Sequence, residues 1–318
     1  MNEILASIQT ILNQRIIISN ILNEFKKNIK KIKTDDFYRV NESLPPGHYI
    51  EHLELIYDYA KSEGVKQFIW FAGDSSLDNK CWIKYKEKGT ASHIYNDILT
   101  DSDVIQDVAY HLNTMLPQNK LCINTSIEAT KLGQRKKTLL DQDEFIRDHV
   151  RKDDILIISV GGNDIAFGGA GFPYIQNFFA DPTNPKNFDF FEDLFHTQMK
   201  AYLEKLISKQ KPKKIIVCII YMPNLTNTTG WADGFLSSVK QLYPGITLDQ
   251  LTMMIKQLLN QIHDKCVNQI KIGGTEIIPL KLYDIIDGSD QKDYEHAVEP
   301  SVQGGKKMAQ AFYNIINK

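Results

Sequence analysis

Two polar turns carry side chains whose types suit nucleophilic chemistry. Gly73-Asp74-Ser75 follows the apolar run 68–72, so Ser75 is predicted at a sharp strand-to-helix turn, where a hydroxyl can act as a nucleophile. Residues 161–164 are Gly-Gly-Asn-Asp and follow the apolar run 155–160. Glycines there allow close backbone approach, and the Asn163 amide is a neutral donor suited to a developing oxyanion. Each turn also has a structural interpretation, because a serine can cap a helix and a glycine turn can end a strand.

The elements that must position these turns are visible from residue 66 onward, where short apolar runs alternate with longer amphipathic stretches. This alternation predicts an α/β fold: a doubly wound, five-stranded parallel sheet between two helical layers, a three-layer α/β/α architecture of the flavodoxin-like kind. Pro279 in the last run indicates a strand at an edge of the sheet. The predicted strands are residues 68–72, 121–124, 155–160, 215–221 and 276–279, and the predicted helices lie near 101–116, 139–151, 190–209, 248–269 and 302–316.

The carboxyl ends of parallel strands meet at one edge of such a sheet, where these folds bind ligands. The segments that leave the five predicted strands are rich in small and polar residues, and they are 73–80, 125–130, 161–164, 222–224 and 296–301. The topology therefore predicts that Ser75 and Asn163 lie near one another along this edge.

The serine and asparagine turns together resemble the SGNH hydrolase superfamily, whose members are also called GDSL esterases and lipases. The resemblance covers about residues 66–316 and is specific in Phe71-Ala72-Gly73-Asp74-Ser75 and in Val160-Gly161-Gly162-Asn163-Asp164. It implies an SGNH fold, a small ester or acyl substrate and no cofactor. It also implies that Ser75 is the nucleophile and that Asn163 donates in the oxyanion hole, beside the serine N–H and a glycine N–H.

The glycine block of this chain departs from the family pattern. The family has Gly-Ala-Thr, whereas this chain has Glu128-Ala129-Thr130, which keeps a backbone N–H but adds a carboxylate. Two unit negative charges about 4 Å apart repel by about 4 kcal/mol at an effective dielectric near 20. Glu128 must therefore point away from the oxyanion, pair with a base such as Lys80 or Arg135, or serve another reaction.

The histidine block departs as well. When Pro300-Ser301 is aligned with the family's Asp-x-x-His-Pro element, Glu299 occupies the histidine position and His296 the aspartate position. Three interpretations stay open. His296 still reaches Ser75, Glu299 is itself the base with a pKa raised by burial, or the base is lost and the chain no longer hydrolyses esters.

The predicted edge is also acidic. Paired carboxyls could act on a glycosidic bond or hold a divalent cation, but the spacing matches no ligand pattern and no metal is predicted. Asp74 and Asp164 could instead anchor turns through backbone hydrogen bonds. The acidic residues are Asp74, Asp78, Glu128, Asp164 and Glu299, and the candidates for contact with the substrate or oxyanion are Gly162, Glu128, Asp74 and Asp164.

Composition excludes several classes of protein. Of 318 residues, 42% are hydrophobic and 24% charged, and 37 basic against 39 acidic residues leave a net charge of −2. These values fit a folded globular protein and no nucleic-acid partner. No apolar run is long enough to span a membrane, and Glu3 and Arg15 are unlike a secretory signal. We therefore expect an intracellular protein, cytoplasmic or organellar and not secreted. The four scattered cysteines are interpreted as buried thiols, and they are Cys81, Cys122, Cys218 and Cys266.

The N-terminal part, residues 1–64, is predicted to be a helical extension of the α/β domain at 65–318. Apolar residues at spacings of three, four and seven predict a helix over 3–33. Such a helix could pack on the main domain, dock another protein chain or act as an organellar targeting segment.

Two aromatic-rich insertions, 165–190 and 223–247, interrupt the α/β pattern. Loops of this length are uncommon unless they are functional, so they are interpreted either as a lid over an apolar substrate or as a cover for the core or a partner contact.

Two functional hypotheses follow. The first is an SGNH/GDSL-type serine ester hydrolase in which Ser75 and Asn163 act with an atypical base, Glu299 or His296. The second is a catalytically inactive SGNH-fold protein that serves as a binding or structural subunit of a larger assembly.

Overall fold

The computed structural model describes residues 30–42, 47–83, 87–227 and 229–318, together with residues 9, 13–15 and 17. Most of the predicted helix 3–33 lies outside the described residues, although residues 9, 13–15 and 17 are helical. The end of that prediction is wrong. Residues 30–33 are not helical, because Ile32 forms a parallel bridge with Leu99 instead.

The strands of the described residues form one large sheet and two short antiparallel pairs. They are β1 (Gln67–Gly73), β2 (Lys88–Thr90), β3 (Asp103–Ile105), β4 (Lys120–Asn124), β5 (Ile155–Ser159), β6 (Lys214–Ile219), β7 (Glu276–Lys281), β8 (Tyr294–Glu295) and β9 (Glu299–Pro300). The α-helices are Thr34–Tyr38, Ile50–Ser62, Lys80–Ile83, His93–Ile98, Val108–Met115, Asp141–His149, Gly162–Ala166, Phe172–Ala180, Asp189–Glu192, Met199–Leu206, Asp233–Gln241, Leu248–Gln261 and Val302–Ile316. Single-turn or π-helical segments are Leu132–Arg135, Phe167–Gly169, Pro185–Asn187, Asp193–Gln198, Ile262–Cys266, Val267–Gln269, Leu282–Asp284 and Gln291–Asp293.

The five-stranded sheet has the order β4-β1-β5-β6-β7, and every pair in it is parallel. This arrangement confirms the predicted doubly wound fold. β7 is an edge strand, as Pro279 indicated.

Helices cover both faces of the sheet, which gives three layers. Because successive strand residues point to opposite faces, Phe68 and Trp70 of β1 pack with the helices Ile50–Ser62 and Asp141–His149. Phe71 of the same strand faces the other way, toward Val302–Ile316. Both faces of β1 are thus covered by helices, and the serine turn follows directly at the end of this buried strand.

Two local predictions need correction. The helix predicted near 101–116 begins only at Val108, because the Asp107 side chain caps it by accepting from the Tyr110 N–H at 2.7 Å. Residues 103–105 form β3 instead. The two insertions, expected as loops, contain the helices Phe172–Ala180 and Asp233–Gln241.

No helix in the described part of the chain combines the length and the apolar composition that a membrane crossing requires.

Candidate active site

The turn after β1 holds Ser75 in a fixed position. Gly73 has φ +153°, and a Cβ at this residue would lie 1.8 Å from the carbonyl oxygen of Ser159, so the close approach of β1 to β5 requires glycine. Asp74 Oδ1 accepts hydrogen bonds from the N–H of Ser76 at 3.1 Å and from its hydroxyl at 2.8 Å. The Asp74 carboxyl therefore closes the turn, and Ser75, itself buried, is presented at its tip.

The turn after β5 presents Asn163 in a similar way. Gly161 has φ +118°, and a Cβ there would lie 2.7 Å from the Phe195 ring. Asn163 Nδ2 donates to the carbonyl oxygen of Thr130 at 3.0 Å. An amide nitrogen carries two hydrogens, and the described residues accept only one of them, which leaves the second for a ligand.

Asp164 has a structural position. Its Oδ2 accepts from the Leu132 N–H at 2.7 Å, and its Oδ1 accepts from the Gly133 N–H at 2.8 Å. The carboxyl therefore ties the asparagine turn to the 130–133 loop and does not line the cavity beside Ser75.

A buried arginine joins the serine turn to the same loop. Arg135 Nη2 donates to the Gly73 carbonyl at 3.0 Å and to Thr130 Oγ1 at 3.1 Å, and Nε donates to Asp143 Oδ2 at 2.9 Å. Because one side chain bonds both segments, Ser75 and Asn163 are kept in register with each other.

The backbone of Glu128 does not supply the oxyanion donor that the resemblance placed at the glycine block. Its N–H donates to Asp78 Oδ2 at 3.1 Å. Neither base suggested from the sequence neutralises its side chain, because Lys80 pairs with Asp78 and Arg135 pairs with Asp143.

The Glu128 carboxyl is instead a neutral acid at pH 7. It is buried, its Oε2 has no hydrogen-bond partner of good geometry among the described residues, and interaction with the Trp82 indole lowers its pKa only in part. Burial, followed by the charges of Glu299 and Asp78, raises its pKa to about 9. The charge repulsion expected from the sequence is therefore absent at neutral pH.

Glu299 lies beside Ser75 and is 1% exposed. The indole N–H of Trp231 donates to its Oε1 at 2.7 Å, whereas its Oε2 is buried with no hydrogen-bond partner of good geometry among the described residues. Burial is the main cause that raises the pKa of Glu299; Trp231 lowers the pKa, Asp74 raises it and the Ser75 hydroxyl lowers it, and the net pKa is about 7. The carboxylate is thus poised near neutral pH.

His296 is directed elsewhere. It is exposed, with φ +58°, and its Nδ1 lies 3.1 Å from Thr229 Oγ1 while its ring packs edge-on against Trp82 at 5.8 Å. It does not line the cavity that contains Ser75. Of the two candidate bases, the structure brings Glu299 to the serine side of the cavity and leaves His296 outside it.

The cavity has a volume of about 160 Å³ and a mostly apolar lining. Its lining residues include Asp74, Ser75, Gly162, Asn163 and Glu299, and we call this group the polar end of the cavity. Both insertions and the helix Leu248–Gln261 build the apolar walls, with Ile175, Phe179, Trp231, Phe235, Leu236, Val239, Ile255, Leu258 and Leu259.

Sequence reasoning missed the role of Trp231. It was identified only as one aromatic residue of an insertion, because no local pattern indicates that its indole reaches a carboxyl 68 positions away.

Among the described residues, no group of three or more His, Cys, Asp or Glu side chains could hold a metal ion.

No protein-family model matches this chain, and a search of curated proteins finds no match. Similar solved structures include a carbohydrate esterase family 3 protein from Talaromyces cellulolyticus, at 12% identity and TM-score 0.38, covering 79% of this chain and 99% of that one. An extracellular lipase from Streptomyces rimosus has 10% identity and TM-score 0.38, covering 79% and 98%. A protein described as a GDSL-like lipase from Bacteroides ovatus has 13% identity and TM-score 0.36, covering 80% and 53%. Similarity at this level carries no argument about activity, which must come from the geometry of the site.

Proposed function

We propose that this chain hydrolyses a carboxylic ester or a related acyl compound, with Ser75 as nucleophile, Glu299 as general base and Asn163 as oxyanion donor. One observation carries the proposal. The three side chains line the polar end of a single cavity, and Glu299 Oε2 is buried without a hydrogen-bond partner of good geometry among the described residues.

The chemistry needs no further group. Ser75 Oγ attacks the acyl carbon while its proton passes to Glu299 Oε2, the oxygen that does not accept from Trp231. The carbonyl oxygen becomes an oxyanion that the free Asn163 N–H can stabilise. When the C–O bond to the alcohol breaks, the alcohol takes the proton from Glu299. Water then repeats the two steps on the acyl-serine and releases the acid.

A base with a pKa of about 7 suits this reaction near neutral pH, because such a carboxylate is basic enough to accept the serine proton while mostly ionised above pH 7. Glu128 does not line the cavity, and while it is neutral it adds no negative charge next to Glu299.

The cavity walls support an apolar acyl group. Apart from the polar end, the lining is aliphatic and aromatic, so burial of a hydrocarbon chain contributes favourably to binding. A free sugar would leave its hydroxyl groups without partners there. The glycosidase interpretation therefore has little support.

A fluorophosphonate probe tests the nucleophile directly. The probe phosphonylates an activated serine with loss of fluoride, so intact-mass measurement should show one adduct on the native chain and none on Ser75→Ala. Ser237→Ala is the matched control, because Ser237 hydrogen-bonds Asp233 on a helix away from the polar end and should label like the native chain. A folded native chain that stays unlabelled between pH 6 and 10 would overturn the proposal.

A second candidate function is binding without turnover, as a subunit of a larger assembly. The observation that favours it is that none of the described residues lining the cavity is a histidine, whereas Glu299 is among them. It predicts that the native chain and Ser75→Ala bind neutral aliphatic amides equally, that no ester is hydrolysed, and that the chain in native extract migrates well above 36.5 kDa.

A further inference from the structure

The general base proposed above has two chemically distinct oxygens. Trp231 Nε1 donates to Oε1 of Glu299 at 2.7 Å, while Oε2 is buried without a partner of good geometry among the described residues. A hydrogen bond to one carboxylate oxygen fixes the rotation of the group, so the direction of Oε2 is also set. Only one oxygen is left to receive a proton.

The loop that carries Trp231 is itself held by His296. Asn227 Nδ2 donates to the His296 carbonyl at 2.7 Å, and Thr229 Oγ1 lies 3.1 Å from His296 Nδ1. Gly230, at φ +92°, packs so closely that a Cβ would lie 2.7 Å from His296 Cβ. The position of the Trp231 indole therefore depends on His296, which lies only three positions before Glu299, the residue that accepts the indole hydrogen bond.

The Trp231 indole also contacts an aromatic residue of the other insertion. The Phe167 ring lies 5.8 Å from the Trp231 ring. Unlike the contacts of the 227–230 loop, this one involves no hydrogen bond, so it can be altered without removing the donor to Glu299.

We propose that Trp231 is the positioning residue of the general base: its indole N–H holds Oε1 of Glu299 so that Oε2 faces the Ser75 proton, and His296 anchors the loop that presents the indole. This inference rests on the proposed hydrolase function. In this arrangement His296 contributes by positioning Trp231 and does not act on the substrate.

Other groups also face Glu299 and must stay constant in a test. Asp74 follows β1, Glu128 follows β4, Cys81 lies on the helix Lys80–Ile83 and Tyr221 follows β6, and each of them interacts electrostatically with Glu299. None of them is changed by substitution of Trp231.

Two variants isolate the indole N–H. Trp231→Phe removes the donor and part of the ring, and replacement by β-(3-benzothienyl)alanine removes the donor while keeping the ring shape. A hydrogen bond to a charged group typically changes an equilibrium or a rate by about tenfold to a hundredfold. We expect kcat to fall by that amount in both variants, with KM within about twofold of the native value.

The pH profile of kcat distinguishes a role of Trp231 in positioning Glu299 from a role in packing the cavity wall. The N–H lowers the pKa of Glu299, so its removal should move the acid limb of kcat to higher pH in both variants. Phe167→Leu, which changes the ring contact and keeps the donor, should leave that limb in place. An unmoved limb with a raised KM in the benzothienyl variant would show that Trp231 is only a wall, and would overturn the inference.

A measurement without turnover distinguishes this failure from failure of the proposed function. In the Ser75→Ala background, the ionisation of Glu299 can be followed by NMR of glutamate labelled with ¹³C at the carboxyl carbon, with Glu299→Gln for assignment. A Glu299 pKa that rises on Trp231→Phe supports the contact even if no ester is hydrolysed. An unchanged pKa contradicts it, whatever the activity.

Discussion

In the proposed mechanism, the carboxyl group of Glu299 acts as the base for Ser75 in place of an imidazole, and its buried surroundings raise its pKa. An ordinary glutamate is too weak a base near neutral pH, but Glu299 has lost its water and lies near Asp74, which raises its pKa to about 7. The same burial keeps Glu128 protonated. Two adjacent carboxyls thereby acquire different charges at one pH, as acid and base pairs do in other hydrolytic sites.

Glu299→Gln tests the base at this position. The amide keeps an oxygen for the Trp231 N–H but cannot take the Ser75 proton, so we expect ester hydrolysis to fall by about 10²- to 10⁴-fold with the fold retained. Steady-state kinetics and circular dichroism check this. Glu295→Gln is the control. Glu295 lies opposite Glu299 in the β8–β9 strand pair but does not line the cavity, so this variant should keep native rates. A Glu299→Gln rate within twofold of native would exclude Glu299 as the base.

The rate should also depend on pH in two steps that belong to different residues. Activity should rise as Glu299 ionises at about pH 7 and fall as Glu128 ionises at about pH 9, because Glu128, which interacts electrostatically with Glu299, then adds a negative charge next to the proposed site. Glu128→Gln should remove the alkaline step and keep the acid one, as measured by kcat/KM between pH 5.5 and 10. An alkaline step that persists in this variant would assign it to another group.

At the scale of elements, the sheet was predictable and the connections were less so. The five strands were predicted within two residues at each end, because residues buried on both faces must be apolar over their whole length. Residues 101–107 were misassigned because they contain only two apolar residues, Val104 and Ile105, which is too few to indicate a helical or a strand period. The Asp107 cap marks where the helix begins.

The close packing of β1 on β5 gives a stability prediction. In Gly73→Ala the new methyl would overlap the Ser159 carbonyl, so we expect a loss of about 1–3 kcal/mol in the free energy of unfolding and weaker fluorophosphonate labelling. Gly234→Ala is the matched control, since a Cβ there meets nothing within 4 Å on a helix, and it should be neutral or stabilising by up to about 1 kcal/mol. Urea denaturation measures both, and equal stabilities of the two variants would contradict the close approach.

Within the site, the sequence located the turns but not their contacts. The turns that carry Ser75 and Asn163 could be predicted because glycines and polar residues follow buried strands. The partners of Glu128, His296 and Glu299 depend on side chains far apart in the chain, and no spacing rule encodes which of two nearby carboxyls accepts an indole N–H.

At the scale of the whole molecule, buried carboxyls should make the protein less stable as pH rises from neutral. Glu128 binds a proton in the folded state up to about pH 9 but loses it near pH 4 when unfolded. Between these values the folded state holds more protons, so the free energy of unfolding falls by at most about 1.4 kcal/mol per pH unit for this group. His48 and His111, whose pKa values are lowered by burial, act in the opposite direction only below about pH 6.5.

Urea denaturation at pH 6.5, 7.25 and 8 should therefore show decreasing stability, and Glu128→Gln should decrease less steeply over this range. Buried thiols add a similar trend only at higher pH, since their ordinary pKa is about 8.5. If the free energy of unfolding falls equally with pH in the native chain and in Glu128→Gln, Glu128 is already ionised in the folded state over this range.

Asn79 connects distant parts of the chain beside the base. Its Nδ2 donates to the Pro300 carbonyl at 2.9 Å, a contact between residues 221 positions apart, and its Oδ1 accepts from the Val108 N–H at 3.2 Å. The turn that carries Ser75 can form early during synthesis, whereas Glu299 reaches it only after the more than 200 residues between them have left the ribosome. A nascent chain would thus carry the serine without its proposed base, and reactivity would arise only when the segment around Glu299 docks.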